Sequence, residues 1–340
     1  MTAAVQSPAQ GLQAQRVLDV DELNVIFRTS SGPLHAVRGI SFDVAAGETV
    51  GLVGESGSGK SATVLGMMGL FHTEDATIRA NRLDFESESL LGPDRRSRLK
   101  DLLGLRVGII FQDPQSSLNP TMRIGRQVGE GLALHRGLSR AETRARVLAA
   151  LDEVGIPDPE WCAHAYPHEL SGGMRQRAMI AMATIGDPGL LIADEPTTAL
   201  DVTLQAQVID LLGLMRRNHG SGILFITHDL ALVSEFADRI LVMYAGRIVE
   251  SGSTETVINS PSHPYTRALI SSVPVIDGPA VEPIAGRPPD PRALPSGCPF
   301  HPRCPDVEPR CRDAEPPVFR VSPRHGSRCW LSETNGDGPW

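Results

Sequence analysis

Residues 54–61 read GESGSGKS, and this stretch decides the fold of the chain. It fits the pattern GxxxxGK[ST] and follows an apolar, strand-like run, ETVGLVG at 48–54. Glycines let the backbone N–H groups of such a loop close around phosphate oxygens, and the start of the following helix favours negative charge. We therefore predict a nucleotide site in which Lys60 neutralises the β- and γ-phosphates and the Ser61 hydroxyl completes a Mg²⁺ shell. The predicted phosphate-binding residues are Gly54, Glu55, Ser56, Gly57, Ser58, Gly59, Lys60, Ser61 and Ala62.

The composition is that of an ordinary folded protein. The 340 residues carry 32 Lys and Arg against 40 Asp and Glu, a net charge of −8, which does not indicate a chain built to coat nucleic acid. No apolar run approaches the roughly 18 residues that a membrane span needs. Residues 1–16 lack the apolar core of a signal peptide, and we expect a disordered lead-in. We therefore expect a cytosolic chain whose membrane role would come through partners.

Four apolar runs predict an α/β fold. They lie at 48–54, 106–113, 190–196 and 222–229, and their near-continuous hydrophobicity is typical of strands buried on both faces of a parallel sheet. A fifth segment, RILVMYAGRIVESG at 239–252, predicts a hairpin around Ala245-Gly246. Ser139 and Glu142 form a capping-box pattern before a run with helical apolar spacing. We predict a helical insert at about 115–175 within an α/β core that runs from about 17 to 255.

Polar residues follow three of these runs at the point where each one ends. Asp194 and Glu195 follow the run LLIA, and we expect Asp194 to hold Mg²⁺ and Glu195 to orient the attacking water. Gln112 and His228 end two further runs. Ligands in such sheets bind beyond the carboxyl ends of the strands, so these side chains should converge on one phosphate. The predicted catalytic residues are Glu195, His228 and Lys60, and the predicted Mg²⁺ ligands are Ser61, Gln112 and Asp194.

Six motifs occur in a fixed order: GESGSGKS, FQDP, LSGGMRQR, LLIADEP, TALD and THD. This set closely resembles the ATP-binding subunit of ABC transporters over residues 17–255. The resemblance implies a P-loop NTPase fold and a head-to-tail pair of subunits, in which each LSGG segment closes over the ATP of the other subunit. It implies that Ser171, Gly172 and Gly173 bind a partner's γ-phosphate and that Asp201 sits at the dimer seam. An aromatic residue stacks on adenine in this family; Phe27 is the candidate, His35 is an alternative, and a plain core role for Phe27 stays open.

Longer segments resemble the peptide-importer branch of that family, which also handles nickel. They are FQDPQSSLNP (111–120), YPHELSGGMRQR (166–177), SPSHPYTRALISSVP (260–274) and LPSGCPFHPRCPDVEPRC, which begins at Leu294. The resemblance implies a peripheral ATPase at the cytoplasmic face of the membrane that energises import of di- or oligopeptides. Its partners would be two transmembrane permeases, a second homologous ATPase and an extracellular substrate-binding protein. The alternative is a soluble ABC ATPase acting on nucleic acid or ribosomes, whose usual coiled-coil insertions or tandem ATPase halves are not evident.

The last part of the chain, 256–340, predicts a loop-rich extension with a cysteine cluster. It is rich in proline and needs either the main domain or a metal to order it. Its cysteines have the spacing Cys298-x5-Cys304-x6-Cys311-x17-Cys329, without the close pairs of structural zinc sites. We predict a [4Fe–4S] cluster, which the resemblance also implies, with zinc second and unligated thiols third. A redox-sensing tail is a further hypothesis, and Cys162 is expected to be a small buried residue.

Overall fold

The computed structural model describes residues 15–71, 76–197, 201–273 and 283–333. Residues 1–14, most of the predicted lead-in, lie outside the described residues. The strands are β1 Arg16–Thr29, β2 Gly32–Ala45, β3 Thr49–Val53, β4 Ala76–Arg79, β5 Arg82–Phe85, β6 Glu88–Ser89, β7 Val107–Ile110, β8 Leu190–Asp194, β9 Gly222–Thr227, β10 Arg239–Tyr244, β11 Arg247–Ser253, β12 Phe319–Ser322 and β13 His325–Ser327. The helices are α1 Lys60–Met67, α2 Arg95–Leu102, α3 Pro114–Ser117, α4 Ile124–Val128, α5 Glu130–His135, α6 Arg140–Glu153, α7 Pro159–His164, α8 Gly172–Thr184, α9 Val202–His219, α10 Leu230–Phe236, α11 Thr254–Asn259, α12 Pro264–Ser271 and α13 Arg310–Asp313.

The main sheet has the order β12-β13-β11-β10-β3-β9-β8-β7. Strands β10, β3, β9, β8 and β7 pair in parallel, and every residue of β3, β8 and β9 is buried. The four predicted parallel strands are therefore confirmed. The predicted hairpin is confirmed as well: β10 and β11 pair antiparallel across Ala245 and Gly246, which have φ angles of +47° and +81°.

Two hydrophobic cores cover the two faces of this sheet. Alternate residues of one strand enter different cores: Val50 and Leu52 face one, and Val53 faces the other. The first of these cores also contains the antiparallel sheet β2-β1-β5-β6, with β4 on β1. This burial on both faces explains why the parallel strands read as continuous apolar runs in the sequence.

Helices α3 to α7 lie between β7 and α8, in the region of the predicted helical insert, and α6 is the longest of them with 14 residues. The predicted capping box is confirmed at the start of α6: Ser139 Oγ accepts from the Glu142 N–H, and the Glu142 carboxylate accepts from the Ser139 N–H. Cys162 is fully buried on α7, as predicted. Within the described ranges, no helix combines the length and apolarity needed to cross a lipid bilayer.

The extension packs on the main domain, which was one of the two alternatives for ordering it. Strand β13 pairs antiparallel with β11 and so continues the main sheet. Tyr265 and Phe300 are almost fully buried against Tyr244, with ring centroids 4.6 and 5.3 Å from the Tyr244 ring. Main-domain contacts therefore supply the core that the proline-rich segment lacks.

Candidate nucleotide-binding and hydrolysis site

The phosphate loop, residues 54–59, connects β3 to α1 and can be built only with glycine at two positions. A Cβ atom on Gly54 would lie 2.1 Å from the Met243 carbonyl oxygen. A Cβ atom on Gly59 would lie 2.5 Å from the Ala36 carbonyl oxygen, and Gly59 has a φ of +109°. These close approaches hold the loop against β10 and β2, so its backbone amides are fixed at the start of α1.

Lys60 lies at the base of the loop and is 5% exposed. Its Nζ donates to the Gly54 and Glu55 carbonyl oxygens at 2.7 and 3.2 Å and lies 3.9 Å from Glu195 Oε1. Burial lowers the pKa of the Lys60 ammonium, and the carboxylates of Glu195 and Asp194 oppose that shift. The arrangement places a positive charge between the phosphate loop and the carboxyl end of β8.

Asp194 and Ser61 form the second part of the site. Asp194 ends β8, is 8% exposed and accepts a hydrogen bond from Ser61 Oγ at 3.3 Å. Burial raises the pKa of Asp194, while the Ser61 hydroxyl lowers it. Protein sites usually bind Mg²⁺ through one or two carboxylates together with substrate phosphates and water. A carboxylate and a hydroxyl beside a phosphate loop therefore fit this ion.

Glu195 is held in a constrained position by residues at the ends of β7 and β9. Its φ is +48°, and its N–H donates to the Ile226 carbonyl oxygen at 2.8 Å. Its carboxylate oxygen Oε2 accepts from Gln112 Nε2 at 3.1 Å and lies 3.3 Å from His228 Nδ1. The structure thus brings Lys60, Gln112, Glu195 and His228 together, with Gln112 bonded to Glu195.

The signature turn, residues 171–173, opens α8 at the protein surface. Ser171 caps this helix, and its Oγ accepts from the Met174 N–H at 3.3 Å. Gly172 is exposed, and a Cβ atom there would meet no atom of the described residues within 4 Å. Asp201 caps α9 by accepting from the Leu204 N–H at 2.9 Å, and the Leu204 side chain lies beside Gly173. The contacts of the turn join it to α9 and leave its outer face open.

A buried glutamine that was not among the predicted site residues connects the signature helix to the hydrolysis site. Gln176 on α8 is 2% exposed, and its Nε2 donates to the Pro196 carbonyl oxygen at 2.7 Å. Pro196 directly follows Glu195. Gln176 shares a helix face with buried Ile180. A polar amide at a position where the helical spacing predicts an apolar residue was the sequence signal that could have identified it.

Phe27 and His35 occupy different environments on the antiparallel sheet. Phe27 is partly buried, and its ring packs edge-on against Phe71 at 4.7 Å. His35 is exposed on the paired strand β2, opposite Ile26. Adenine stacking by either residue stays a prediction.

The predicted iron–sulfur cluster is wrong. Among the described residues, which include every cysteine, no group of three or more His, Cys, Asp or Glu side chains is arranged to hold a metal ion. Burial raises the pKa of Cys298 to about 11 and that of Cys329 to about 12, so these thiols stay protonated at neutral pH. All five cysteines are free, and the four in the extension line one small cavity.

A loop of this geometry between a parallel strand and a helix, with two carboxylates at the carboxyl end of another parallel strand of the same sheet, defines a P-loop nucleoside triphosphatase. Residues 37–198 match the sequence model for ABC transporters, and residues 249–311 match the oligopeptide/dipeptide transporter C-terminal region. The chain belongs to the ABC transporter family, and the predicted resemblance is confirmed.

Relatives and solved structures agree with this assignment. The dipeptide transport ATP-binding protein DppD of Bacillus subtilis is 44% identical over 95% of this chain and 97% of its own. The oligopeptide transport ATP-binding protein OppD of the same organism is 42% identical over 94% of this chain and 90% of its own. The structure of cbiO1 from Clostridium perfringens, part of the ABC transporter complex cbiONQ, is 30% identical with a TM-score of 0.60 and covers 72% of this chain and 92% of its own. The dimeric structure of the bacterial ABC transporter cassette MJ0796 is 26% identical with a TM-score of 0.60, and the match covers 70% of this chain and 98% of its own.

Proposed function

We propose that this chain is the ATP-hydrolysing subunit of a transporter that imports di- or oligopeptides. The observation that carries the hydrolytic role is the Glu195 carboxylate, held by Gln112 and His228 beside the buried Lys60 ammonium. The names of the dipeptide and oligopeptide transport relatives, and the match over 249–311, support the cargo class.

The phosphate loop would bind ATP through its backbone amides and Lys60. Ser61 and Asp194 would hold Mg²⁺, and their 3.3 Å contact supports that assignment. When bound, Mg²⁺ neutralises charge on the β- and γ-phosphate oxygens. Lys60 adds a desolvated positive charge on the same side, which stabilises the charge that the phosphates carry as the bond to the β–γ bridging oxygen breaks.

Glu195 would act as the general base of hydrolysis. A water oxygen attacks the γ-phosphorus, its proton passes to the Glu195 carboxylate, and the bond from the γ-phosphorus to the β–γ bridging oxygen breaks. Gln112 would fix the carboxylate and contribute to the Mg²⁺ shell, and His228 would contact the γ-phosphate. The contacts of both side chains with Oε2 support a fixed base rather than a free surface carboxylate.

The signature turn would complete the site of a second subunit. The open surface around Gly172 and the cap geometry of Ser171 support binding of a partner's γ-phosphate, together with Gly173. Asp201, at the start of α9, would lie at the seam. A dimeric solved relative supports this arrangement. We propose separately that Phe27 would stack on adenine.

The proposed assembly contains two transmembrane permeases, a second homologous ATPase and an extracellular substrate-binding protein, with this chain at the cytoplasmic face of the membrane. Residues 17–255 would form the ATPase domain, with the helical subdomain at about 115–175, and 256–340 the cysteine-bearing extension. The alternative, a soluble ATPase acting on nucleic acid or ribosomes, is not favoured because the relatives described above are transport proteins.

Reconstitution tests the cargo. Membranes containing the chain with its co-purified permeases should take up a labelled dipeptide or oligopeptide when ATP is supplied, and the same peptide should accelerate phosphate release. A Lys60→Met complex is the matched control and should do neither. Peptide uptake that proceeds equally with the control would contradict the proposal, as would acceleration by nickel alone.

A further inference from the structure

The C-terminal extension reaches the phosphate loop through Arg303. Its Nη1 and Nη2 donate to Glu55 Oε2 and Oε1 at 2.6 and 3.0 Å, which is a two-pronged ion pair. The Arg303 side chain is 4% exposed, and the Glu55 side chain is 25% exposed. Because Glu55 is the second residue of the loop, this pair joins the extension directly to the nucleotide site.

Tyr265 makes a second contact with the same loop residue. Its buried phenol oxygen accepts from the Glu55 N–H at 2.9 Å. The Glu55 carbonyl oxygen in turn accepts from Lys60 Nζ and from the Ser58 N–H, each at 3.2 Å. The extension therefore holds both the side chain and the backbone of Glu55, and the carbonyl of the same residue contacts the groups that bind phosphate.

Arg303 is itself held rigidly. Its Nε donates to the Ala285 carbonyl oxygen at 2.8 Å, and its guanidinium lies 5.9 Å from the ring centroids of both Tyr244 and Phe300. A guanidinium with this many fixed partners pays little additional entropy when it pairs with Glu55. The ion pair is therefore a preorganised contact and not an incidental surface one.

We propose that Arg303 and Tyr265 are positioning residues that shape the phosphate loop, and that Arg303 also neutralises Glu55 so that the loop accepts a polyphosphate. This inference rests on ATP being the ligand of the loop. ATP is strongly negative, and an unpaired carboxylate in the loop would oppose its binding across a partly buried site. The extension is thus part of what sets ATP affinity.

A double-mutant cycle in the full-length chain tests the proposal. The probe is the non-hydrolysable analogue adenylyl imidodiphosphate with Mg²⁺, titrated by calorimetry into wild type, Arg303→Met, Glu55→Gln and the double variant. We expect Arg303→Met to weaken binding about tenfold, and by less than about twofold in the Glu55→Gln background, where no charge remains to neutralise. Arg303→Lys should recover part of the loss because it keeps the charge. Arg310→Met, which removes a different ion-pairing arginine of the extension, should bind like wild type.

Two results would overturn the proposal. An unchanged affinity for the analogue in Arg303→Met would contradict the proposal. An equal loss of affinity in the wild-type and Glu55→Gln backgrounds would also contradict it, since that pattern belongs to a residue needed only for folding. In steady-state kinetics, the KM for ATP should rise while kcat changes by less than about twofold. Analogue binding requires neither turnover nor permeases, so a failure of the peptide-import role would leave this measurement readable.

Discussion

The phosphate loop and the signature turn are both glycine-rich helix starts, yet the protein surrounds them differently. Lys60 in the first is 5% exposed and bonds two carbonyl oxygens of its own loop. Gly172 in the second is exposed, with open space where a side chain would stand. Both stretches have an exposed glycine, Gly57 and Gly172, so the difference lies beneath them: a buried lysine of the same chain lies at the base of the loop, whereas the contacts of the turn run to α9.

The largest effect is expected when the proposed general base, Glu195, is removed from the site that contains the phosphate loop. Glu195→Gln should lower the rate of ATP hydrolysis by about 10²–10³-fold, because the amide cannot accept the proton of the attacking water. Affinity for the non-hydrolysable analogue should stay within about twofold, and ATP should trap a dimer visible by size-exclusion chromatography. Glu160→Gln, on the surface of α7, is the control. Hydrolysis at the wild-type rate would rule out Glu195 as the base.

The open side of the comparison is tested by filling the signature turn. Ser171→Arg should lower hydrolysis about 100-fold, because a long side chain blocks donors that a partner's phosphate would use. Analogue affinity of the same chain should not change, since the turn does not serve its own loop. Lys60→Met should lose both ATP hydrolysis and affinity for the analogue. Equal losses of affinity and turnover in Ser171→Arg would show that the turn acts within its own chain.

The link between the two regions should have a smaller effect. Gln176→Leu leaves the buried Pro196 carbonyl without its hydrogen bond, which costs about 1–3 kcal/mol and loosens the residue next to Glu195. We expect about a tenfold loss of kcat with analogue affinity unchanged. Gln207→Leu, at an exposed position on α9, provides the matched control. If Gln176→Leu lowered the affinity for the analogue instead of the turnover rate, Gln176 would act by supporting the phosphate loop.

The smallest expected effect concerns the extension and pH. Burial lowers the pKa of His263 to about 4, opposed by Glu250 and reinforced by Arg267. The unfolded chain therefore binds more protons between pH 6.5 and 4, and stability is lost as the pH falls through that window, by roughly 1–3 kcal/mol. Thermal unfolding midpoints should show the fall, and His263→Asn should reduce it. His168→Asn, at an exposed position, should leave it unchanged; an identical acid slope in both variants would exclude His263.

Much of the site was predictable because parallel strands end at one edge of their sheet. Gln112, Asp194 and His228 each follow a recognisable apolar run, so their convergence follows from topology alone. The contact between Arg303 and Glu55 follows from no such rule. It joins residues 248 positions apart, and one of them lies in a segment without periodicity.

The cysteine prediction failed for a physical reason. Spacing along the chain indicated four thiols in one region, and they do line one cavity. Metal binding depends in addition on ligand geometry, which spacing does not specify. Among the described residues the four thiols have no arrangement that would hold a metal ion, and burial raises the pKa of Cys298 and Cys329.

The pairing of β13 with β11 has a consequence for any shortened form of the protein. A chain ending near residue 255 would leave β11 as an uncovered edge strand, with a row of free N–H and C=O groups able to pair with a second copy. The full chain instead ends its sheet at β12, which has only four residues, two of them exposed. The extension therefore covers part of an edge that would otherwise be free, and we expect its loss to appear first as poor solubility.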